Sequence, residues 1–392
     1  MTQDVSDNST IPYFSDVMGS PPYLWQQQFY AACQRGEPPE AIDIPTGLGK
    51  TVCVLLLLLA RLQNPSLPAR VVYIVDRRAV VDQTAALIET WIERIAELPR
   101  LAEKFHAMAA FPSDLPVQLG VLRGGLADDG AWRVDPARAS VVIGTVDMVG
   151  SKILFAGYGD GRSRRSMHAG LLGHDAIAVL DEAHLSPAMD AVLHAVAKLQ
   201  GSRFFRTVTL SATGRGRSNA LCLSAEKETH PAVRQRLHAV KTLDLQRVKT
   251  PSERVEALCT AALAHRTGAI AIFVRTVGDA RRIASRLLKS IGDDAPDRVA
   301  LLTGTLRGHE RAALMSSAVW RTFLPGRPRD PDAPASFLVM TAAGEVGVDL
   351  DADHGAMDLG TLDSMIQRIG RINRAGERSA TVTVVATNTD TE

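Results

Sequence analysis

Short apolar runs recur along this chain at regular intervals, separated by stretches with helical spacing. The runs at 41–44, 70–75, 117–122, 140–145, 176–181 and 207–212 form a first series, and those at 269–274, 299–304, 336–341 and 380–386 a second. Several are continuous rather than alternating, the pattern of strands buried on both faces of a parallel sheet. Helical stretches such as 79–98, 255–265 and 279–290 lie between them. Strand and helix alternate throughout, which predicts an α/β fold with doubly wound parallel sheets. Residues 216–250 have weaker periodicity and loop-like polar composition, so a junction between two domains is expected there. The predicted order is a leader over 1–22, a first domain over 23–215, the junction, and a second domain over 251–392.

Composition narrows the class of protein without choosing a function. A length of 392 residues allows two or three domains with sizeable cores. The 46% hydrophobic and 22% charged fractions are those of an ordinary globular chain. With a net charge of +1, any nucleic-acid partner must use a local groove rather than a globally basic surface. Cys33, Cys53, Cys222 and Cys259 show neither metal-like nor disulfide-like spacing, which suits reduced thiols in a cytosol. The longest apolar run, 52–60, is far short of a membrane span, and the N-terminus is polar and acidic, unlike a signal peptide. A cytoplasmic protein without membrane contact is expected.

Three motifs carry chemistry. Pro45-Thr-Gly-Leu-Gly-Lys50-Thr51 sits between a strand candidate and a helix candidate, the context a phosphate-binding loop requires. Gly47 and Gly49 let the backbone bring N–H groups to phosphate oxygens. Lys50 supplies charge between the β- and γ-phosphates of ATP, and Thr51 offers its hydroxyl to Mg²⁺. Ile44 stands where the commonest form of the loop has its first glycine.

Asp181-Glu182-Ala183-His184 closes the apolar run that begins at Ala176. A carboxylate at such a strand tip is poised beside the mouth of the loop in a doubly wound sheet. Asp181 is expected to hold Mg²⁺ through water, and Glu182 to orient or deprotonate the attacking water. An acidic helix start is the other reading of the tetrapeptide. His174-Asp175, just upstream, reads as a loop pair rather than the dipeptide of a metal phosphohydrolase, because no further histidines cluster with it.

The third motif is Gln367-Arg-Ile-Gly-Arg371-Ile-Asn373-Arg374. Residues 363–370 are expected to be helical, with Met365, Ile366 and Ile369 on one face. Arg371 and Arg374 lie three apart, so adjacent turns would point both into one cleft. There they would neutralise the transferring phosphoryl group, an effect of roughly 10³–10⁵ in rate in other phosphoryl-transfer enzymes. Gln367 is placed to touch His184. An exposed basic helix end is the alternative. If the phosphate loop and the arginines meet on one ATP, two domains close on that nucleotide, which is the basis of a motor.

Weaker signals follow further strand candidates: Asp76-Arg77-Arg78, Gly124-Gly125, Gly144-Thr145-Val-Asp147, Ser211-Ala-Thr213, Val274-Arg275-Thr276, and Thr341 before Ala-Ala-Gly-Glu345-Val-Gly347-Val-Asp349. Each alone is compatible with helix caps and turns. Together and in this order they resemble the motif set of superfamily two helicases of the DEAH-box kind, over residues 25–376. Within that superfamily the chain resembles the helicase of the CRISPR-associated helicase–nuclease of type I systems. The likeness is carried by Asp181 to His184, by the run from Glu345 to Asp351, and by Gln367 to Gly376. Asn373 occupies a place where glycine is usual in many RNA helicases.

The resemblance implies two tandem RecA-like (P-loop NTPase) domains with ATP and Mg²⁺ as cofactors. It implies that Gln26 reads the adenine and that Gly347 and Asp349 face the nucleotide. The substrate implied is single-stranded DNA, pulled 3′ to 5′, from the R-loop made by a crRNA-guided surveillance complex. Phosphate contacts are expected from Arg77, Arg78, Arg123, Gly125, Thr145, Arg275, Thr276 and Thr341. Aromatic residues are only 5% of the chain, which argues against base stacking as the main source of affinity. The arginine-rich stretches 161–165 and 214–217 read as solvated loops, with duplex or partner contacts as the alternative. A metal-dependent HD nuclease, fused or separate, is the further partner implied; the ten histidines are scattered, so DNA cleavage is not expected of these residues. A monomer is expected. Two other readings remain: another superfamily two enzyme (repair translocase or RNA helicase), or an ATP-switched nucleic-acid clamp.

Overall fold

The computed structural model describes residues 11–123, 130–201, 203–212, 214, 219–224, 226, 228–292, 295–345 and 348–388. Gly124, Gly125, Thr213, Arg215, Arg217 and Gly347 lie outside them. The chain forms two compact units, Met1–Glu228 and Thr229–Glu392.

Unit 1 is built on seven strands: β1 (Ala41–Asp43), β2 (Arg70–Val75), β3 (Gln118–Leu122), β4 (Ser140–Thr145), β5 (Ala176–Leu180), β6 (Phe205–Ser211) and β7 (Ala220–Cys222). Their order is β3-β4-β2-β5-β6-β1-β7, with every pair parallel. Val72 lies opposite Val142 on one side and Ala178 on the other. A parallel sheet needs crossover helices, and these bury both faces of the central strands. The helix Cys53–Gln63 follows the phosphate loop and is buried from Cys53 to Ala60. That accounts for its near-absence of polar residues: a helix apolar all round belongs in a core.

Unit 2 contains β8 (Val240–Val248), β9 (Ala269–Phe273), β10 (Val299–Leu302), β11 (Ser336–Met340), β12 (His354–Asp358) and β13 (Ser379–Thr387). Their order is β10-β11-β9-β12-β13-β8, again all parallel. Strand β9 shows why its sequence is continuously apolar. Ala269, Ala271 and Phe273 pack into the core on one face, while Ile270 and Ile272 pack into the core on the other.

Three strands were not anticipated. His354-Gly-Ala-Met-Asp carries no β-branched residue, yet β12 is a strand because it is sandwiched between β9 and β13. Its Gly355 leaves room for Ile372, whose side chain would lie 2.9 Å from a Cβ at that position. The short β7 adds the outer edge of the first sheet beyond β1. Strand β8 falls within the stretch expected to be a junction. It pairs along all nine residues with β13, and its Val240, Leu243 and Leu245 are exposed. An edge strand with so little burial leaves no continuous apolar run to read. The division between the units falls after Glu228. Among the described residues no helix is long and apolar enough to cross a membrane.

Candidate nucleotide site

Because all strands of unit 1 are parallel, their carboxyl ends share one edge, and the motifs gather there. The loop after β1 turns at Gly47 (φ 84°) and Gly49 (φ 70°), a backbone region that side-chain-bearing residues rarely adopt. Lys50 is 9% exposed, and its ammonium donates to the Ile44 carbonyl at 3.1 Å. The isoleucine in place of the usual glycine thus contributes its carbonyl to hold the lysine across the loop. Gln26 is buried beside this loop: its side-chain oxygen accepts from the Tyr23 N–H at 2.8 Å, and its nitrogen lies 3.9 Å from the Cβ position of Gly49.

The end of β5 supplies the acids. Lys50 Nζ stands 3.8 Å from Glu182 Oε1. Glu182 is held in the left-handed region (φ 45°), a strained conformation for a residue with a side chain, and its N–H donates to Asp181 Oδ1 at 3.1 Å. His184 Nδ1 is 3.5 Å from Glu182 Oε2, and neither ring nitrogen has a hydrogen-bond partner among the described residues.

Tyr73, from the middle of β2, was not singled out by the sequence. Its phenol is fully buried, lies 3.3 Å from Thr51 Oγ1, and stands beside the Asp181 carboxylate, whose pKa it lowers. One buried hydroxyl thereby adjoins both residues expected to bind Mg²⁺. The signal for it in sequence is a polar tip within the apolar run 71–75, since a buried tyrosine usually finds a partner for its hydroxyl. Burial, and then the negative charge of Glu182, push the Asp181 carboxyl up to about 6, against the opposing pull of Lys50 and Tyr73. A cation placed against it would reverse that shift. Oxygen donors of this kind, a hydroxyl and a carboxylate, fit Mg²⁺.

Further candidates lie along the same edge. Arg77 and exposed Arg78 follow β2, and Arg77 is 3.6 Å from Asp76. Arg123 follows β3 and pairs with Asp82. Thr145 ends β4, where its hydroxyl caps the following helix by accepting from Met148 N–H. Gly125 is outside the described residues.

Unit 2 has its own carboxyl edge. Arg275 and Thr276 follow β9, with Thr276 capping the next helix through Asp279 N–H at 3.0 Å, and Thr341 follows β11. The arginine motif departs from its expected geometry. The helix Leu362–Ile369 ends before Arg371, and Asn373 adopts a left-handed conformation (φ 42°), so Arg371 and Arg374 do not lie on adjacent helical turns. Arg371 is buried and donates twice to the Glu345 carbonyl, at 2.8 Å and 3.3 Å. Arg374 pairs with the exposed Asp349 carboxylate, and its N–H donates to Asp351 at 2.7 Å. Gln367 is buried, as is its neighbour.

That neighbour, Arg368, is a second residue that sequence reasoning passed over. It is 2% exposed and spans Glu345 Oε1 (2.7 Å) and Asp358 Oδ1 (2.7 Å). Asp358 in turn accepts from the Arg275 N–H at 2.8 Å. One buried network therefore ties the loop after β9, the end of β12, the Glu345 loop and the arginine helix. Asn373, with no exposed surface, donates to the carbonyls of Val240 and Arg378 and receives Arg378 N–H at 3.2 Å. Its place in the motif is thus structural: it pins β8 to the turn after the helix.

The family model described as DEAD/DEAH box helicase matches residues 23–220, and that described as CRISPR-associated nuclease/helicase Cas3, C-terminal, matches residues 266–377. No curated protein matches. Among solved structures, the chain is similar to T. fusca Cas3 (TM-score 0.64, 19% identity, 96% of this chain and 48% of that one). It is similar to S. cerevisiae Dbp5 bound to RNA and ADP BeF3 (TM-score 0.61, 19% identity, 96% and 89%). It is also similar to the Mycobacterium smegmatis helicase Lhr bound to ssDNA and AMP-PNP (TM-score 0.62, 20% identity, 96% and 47%). The chain thus spans about half the length of T. fusca Cas3 and of Lhr. These likenesses make the two parallel sheets tandem RecA-like helicase domains.

Proposed function

The chain belongs to the DEAD/DEAH box helicase family, an ATP-hydrolysing class, and on that premise we propose that it is a DNA-stimulated ATPase that translocates along single-stranded DNA. The observation that carries the reading is the partly buried group formed by Lys50, Glu182, Asp181, Tyr73 and Thr51 at the end of one sheet. Lys50 would draw the β- and γ-phosphates into the loop, with Gln26 against the adenine. Thr51 and Asp181 would hold Mg²⁺, which neutralises phosphate charge when bound. Glu182 would orient the attacking water and accept its proton.

The second unit's share of the reaction is the arginines. Arg371 and Arg374 would approach the γ-phosphoryl group when the two units close on ATP, with Gly347 and Asp349 on the nucleotide and Gln367 reporting closure to His184. Their separation from the phosphate loop in sequence supports a site completed only by closure, so that each hydrolysis event reopens it. The strand would be gripped through phosphates by Arg77, Arg78, Gly125 and Thr145 of the first unit and Arg275, Thr276 and Thr341 of the second. Such contacts are independent of base sequence, as a translocase requires.

The Cas3-like match over 266–377 supports a narrower role. The substrate would be the displaced strand of an R-loop made by a crRNA-guided surveillance complex in type I CRISPR interference, with 3′ to 5′ movement in the cytoplasm. Cleavage would fall to a nuclease, fused or separate. The test is ATP turnover with single-stranded DNA, single-stranded RNA or an R-loop, with and without a purified surveillance complex. Stimulation by DNA, lost in Lys50→Ala and Glu182→Gln while both remain folded, is expected. Stimulation by RNA alone would overturn the DNA reading, and normal turnover in either variant would overturn the site.

A further inference from the structure

The opposite edge of unit 1 carries a different set of charges. Where β2, β5 and β6 begin, a depression of about 970 Å³ is lined by Arg70, Arg203, Arg206, His174 and the hydroxyl-bearing Ser166, among others. Strands of this length place it about 17–20 Å from the carboxyl edge that holds the phosphate loop. We propose that this depression is an anion site that takes the phosphate group of a small molecule.

Arg70 carries the inference. It is 2% exposed, and one guanidinium nitrogen donates to the Leu171 carbonyl at 2.6 Å. Its Nε and its other terminal nitrogen are buried and have no hydrogen-bond partner among the described residues. A buried guanidinium with unmet donors is costly, and a planar set of such donors matches phosphate or carboxylate oxygens. Burial lowers the affinity of Arg70 for its proton and Asp175 raises it, yet an arginine stays charged throughout the accessible range.

The walls add charge of the same sign. Phe204 is stacked on His174 (ring centroids 4.7 Å apart, 19° between planes), and the Arg203 guanidinium stands 5.5 Å from the Phe204 centroid. That stack holds a cation at the exposed rim. Three arginines and one histidine line the depression against one carboxylate, Asp175. Asp175 Oδ1 is already occupied, accepting from Ala69 N–H at 3.2 Å, and the residue itself is held at φ 50°. His174-Asp175, the dipeptide that reads as a mere loop pair, is thus part of the lining.

Size and depth select the ligand. The volume is that of a small-molecule site. The recessed position of Arg70 suits a terminal phosphate that can enter the depression, rather than a continuous nucleic-acid backbone laid across the surface. The site is independent of the nucleotide reading, because none of its lining residues belongs to the phosphate loop or to the Asp181 strand end.

Calorimetric titration of the full chain carrying Lys50→Ala, which disables the phosphate loop, tests the proposal. The probes are inorganic pyrophosphate, adenosine 5′-monophosphate, and a short DNA strand with and without a 5′-phosphate, at matched ionic strength. Saturable binding of a small phosphate compound is expected, weakened about tenfold by Arg70→Gln, as loss of one charge-assisted contact implies, and measurably by Arg203→Ala. Arg203 is on the surface, so its variant decides the matter if Arg70→Gln does not fold. The proposal is overturned if neither small compound binds saturably, if binding is unchanged by Arg203→Ala and by a folded Arg70→Gln, or if only the 5′-phosphorylated strand binds.

Discussion

The phenol of Tyr73 lies 3.3 Å from the hydroxyl of Thr51, although the two residues come from the centre of a strand and the start of a helix. The same phenol lowers the Asp181 pKa, so a residue outside every recognisable motif adjoins one residue from each of two motifs. Tyr73→Phe keeps the ring and removes the bridge. Loss of that donor should raise the Asp181 pKa further and shift the acid limb of ATP turnover to higher pH. More Mg²⁺ should be needed for half-maximal rate, with a stability cost of about 1 kcal/mol. A pH–rate profile and Mg²⁺ titration identical to those of the unaltered protein would show that the bridge has no part in the site.

Asp181 is a carboxyl whose pKa in the folded chain is raised, to about 6, by burial and by Glu182. Between its unfolded value, about 3.9, and that point, the folded state holds a proton the unfolded state lacks. Stability contributed by this group therefore falls as pH rises through that window and stays low above it. Each unit of upward shift costs the folded state about 1.4 kcal/mol at neutral pH. Asp181→Asn should raise the melting temperature of the nucleotide-free protein at pH 7.5 while abolishing turnover, and the gain should shrink toward pH 4.5. An equal gain at both pH values would contradict the assignment.

Arg371 and Arg374 should separate in their effects. Arg371 is buried against the Glu345 carbonyl, so Arg371→Ala leaves that acceptor unmet and should lower both stability and turnover. Arg374 is held by an exposed aspartate, a pair worth little to stability. Arg374→Ala should leave the melting temperature nearly unchanged while reducing turnover by about 10³-fold, the scale of an arginine that stabilises the transferring phosphoryl group. Steady-state rates beside thermal melts distinguish the two, and an active Arg374→Ala would remove that residue from the reaction.

Asn373 combines a left-handed backbone with buried hydrogen bonds to Val240 and Arg378. Asn373→Gly should relieve the backbone strain but lose the bonds, costing about 1–2 kcal/mol. Asn373→Ala should cost about 1–2 kcal/mol more, because alanine resists that conformation. Chemical denaturation of both variants measures the order, and equal losses would mean that the backbone conformation is not what asparagine supplies.

The meeting of the 45–51 loop with the Asp181-Glu182 strand end was legible because each motif has fixed residue types at local spacing. The parallel architecture was legible because β9-like strands, buried on both faces, are apolar throughout. Strands β8 and β12 were not legible, since one is mostly exposed and the other is a strand only because of its neighbours. Arg368 and Tyr73 escaped for a related reason: no local spacing ties Arg368 to Asp358 or Tyr73 to Thr51, and only the fold brings each pair together. The helical spacing expected of Arg371 and Arg374 failed at Gly370 and Asn373, where the backbone leaves the helix.

The nine-residue ladder between β8 and β13 has a mechanical consequence. The two strands run parallel, and they are the first and last strands of their unit. Tension entering the chain at Val240 and leaving at Thr387 would pull them in opposite directions along their length. The hydrogen bonds of the ladder would then be loaded together in shear, instead of being peeled apart one at a time from an end. A domain wired in this way can carry force through its covalent chain without unravelling at its edge strand.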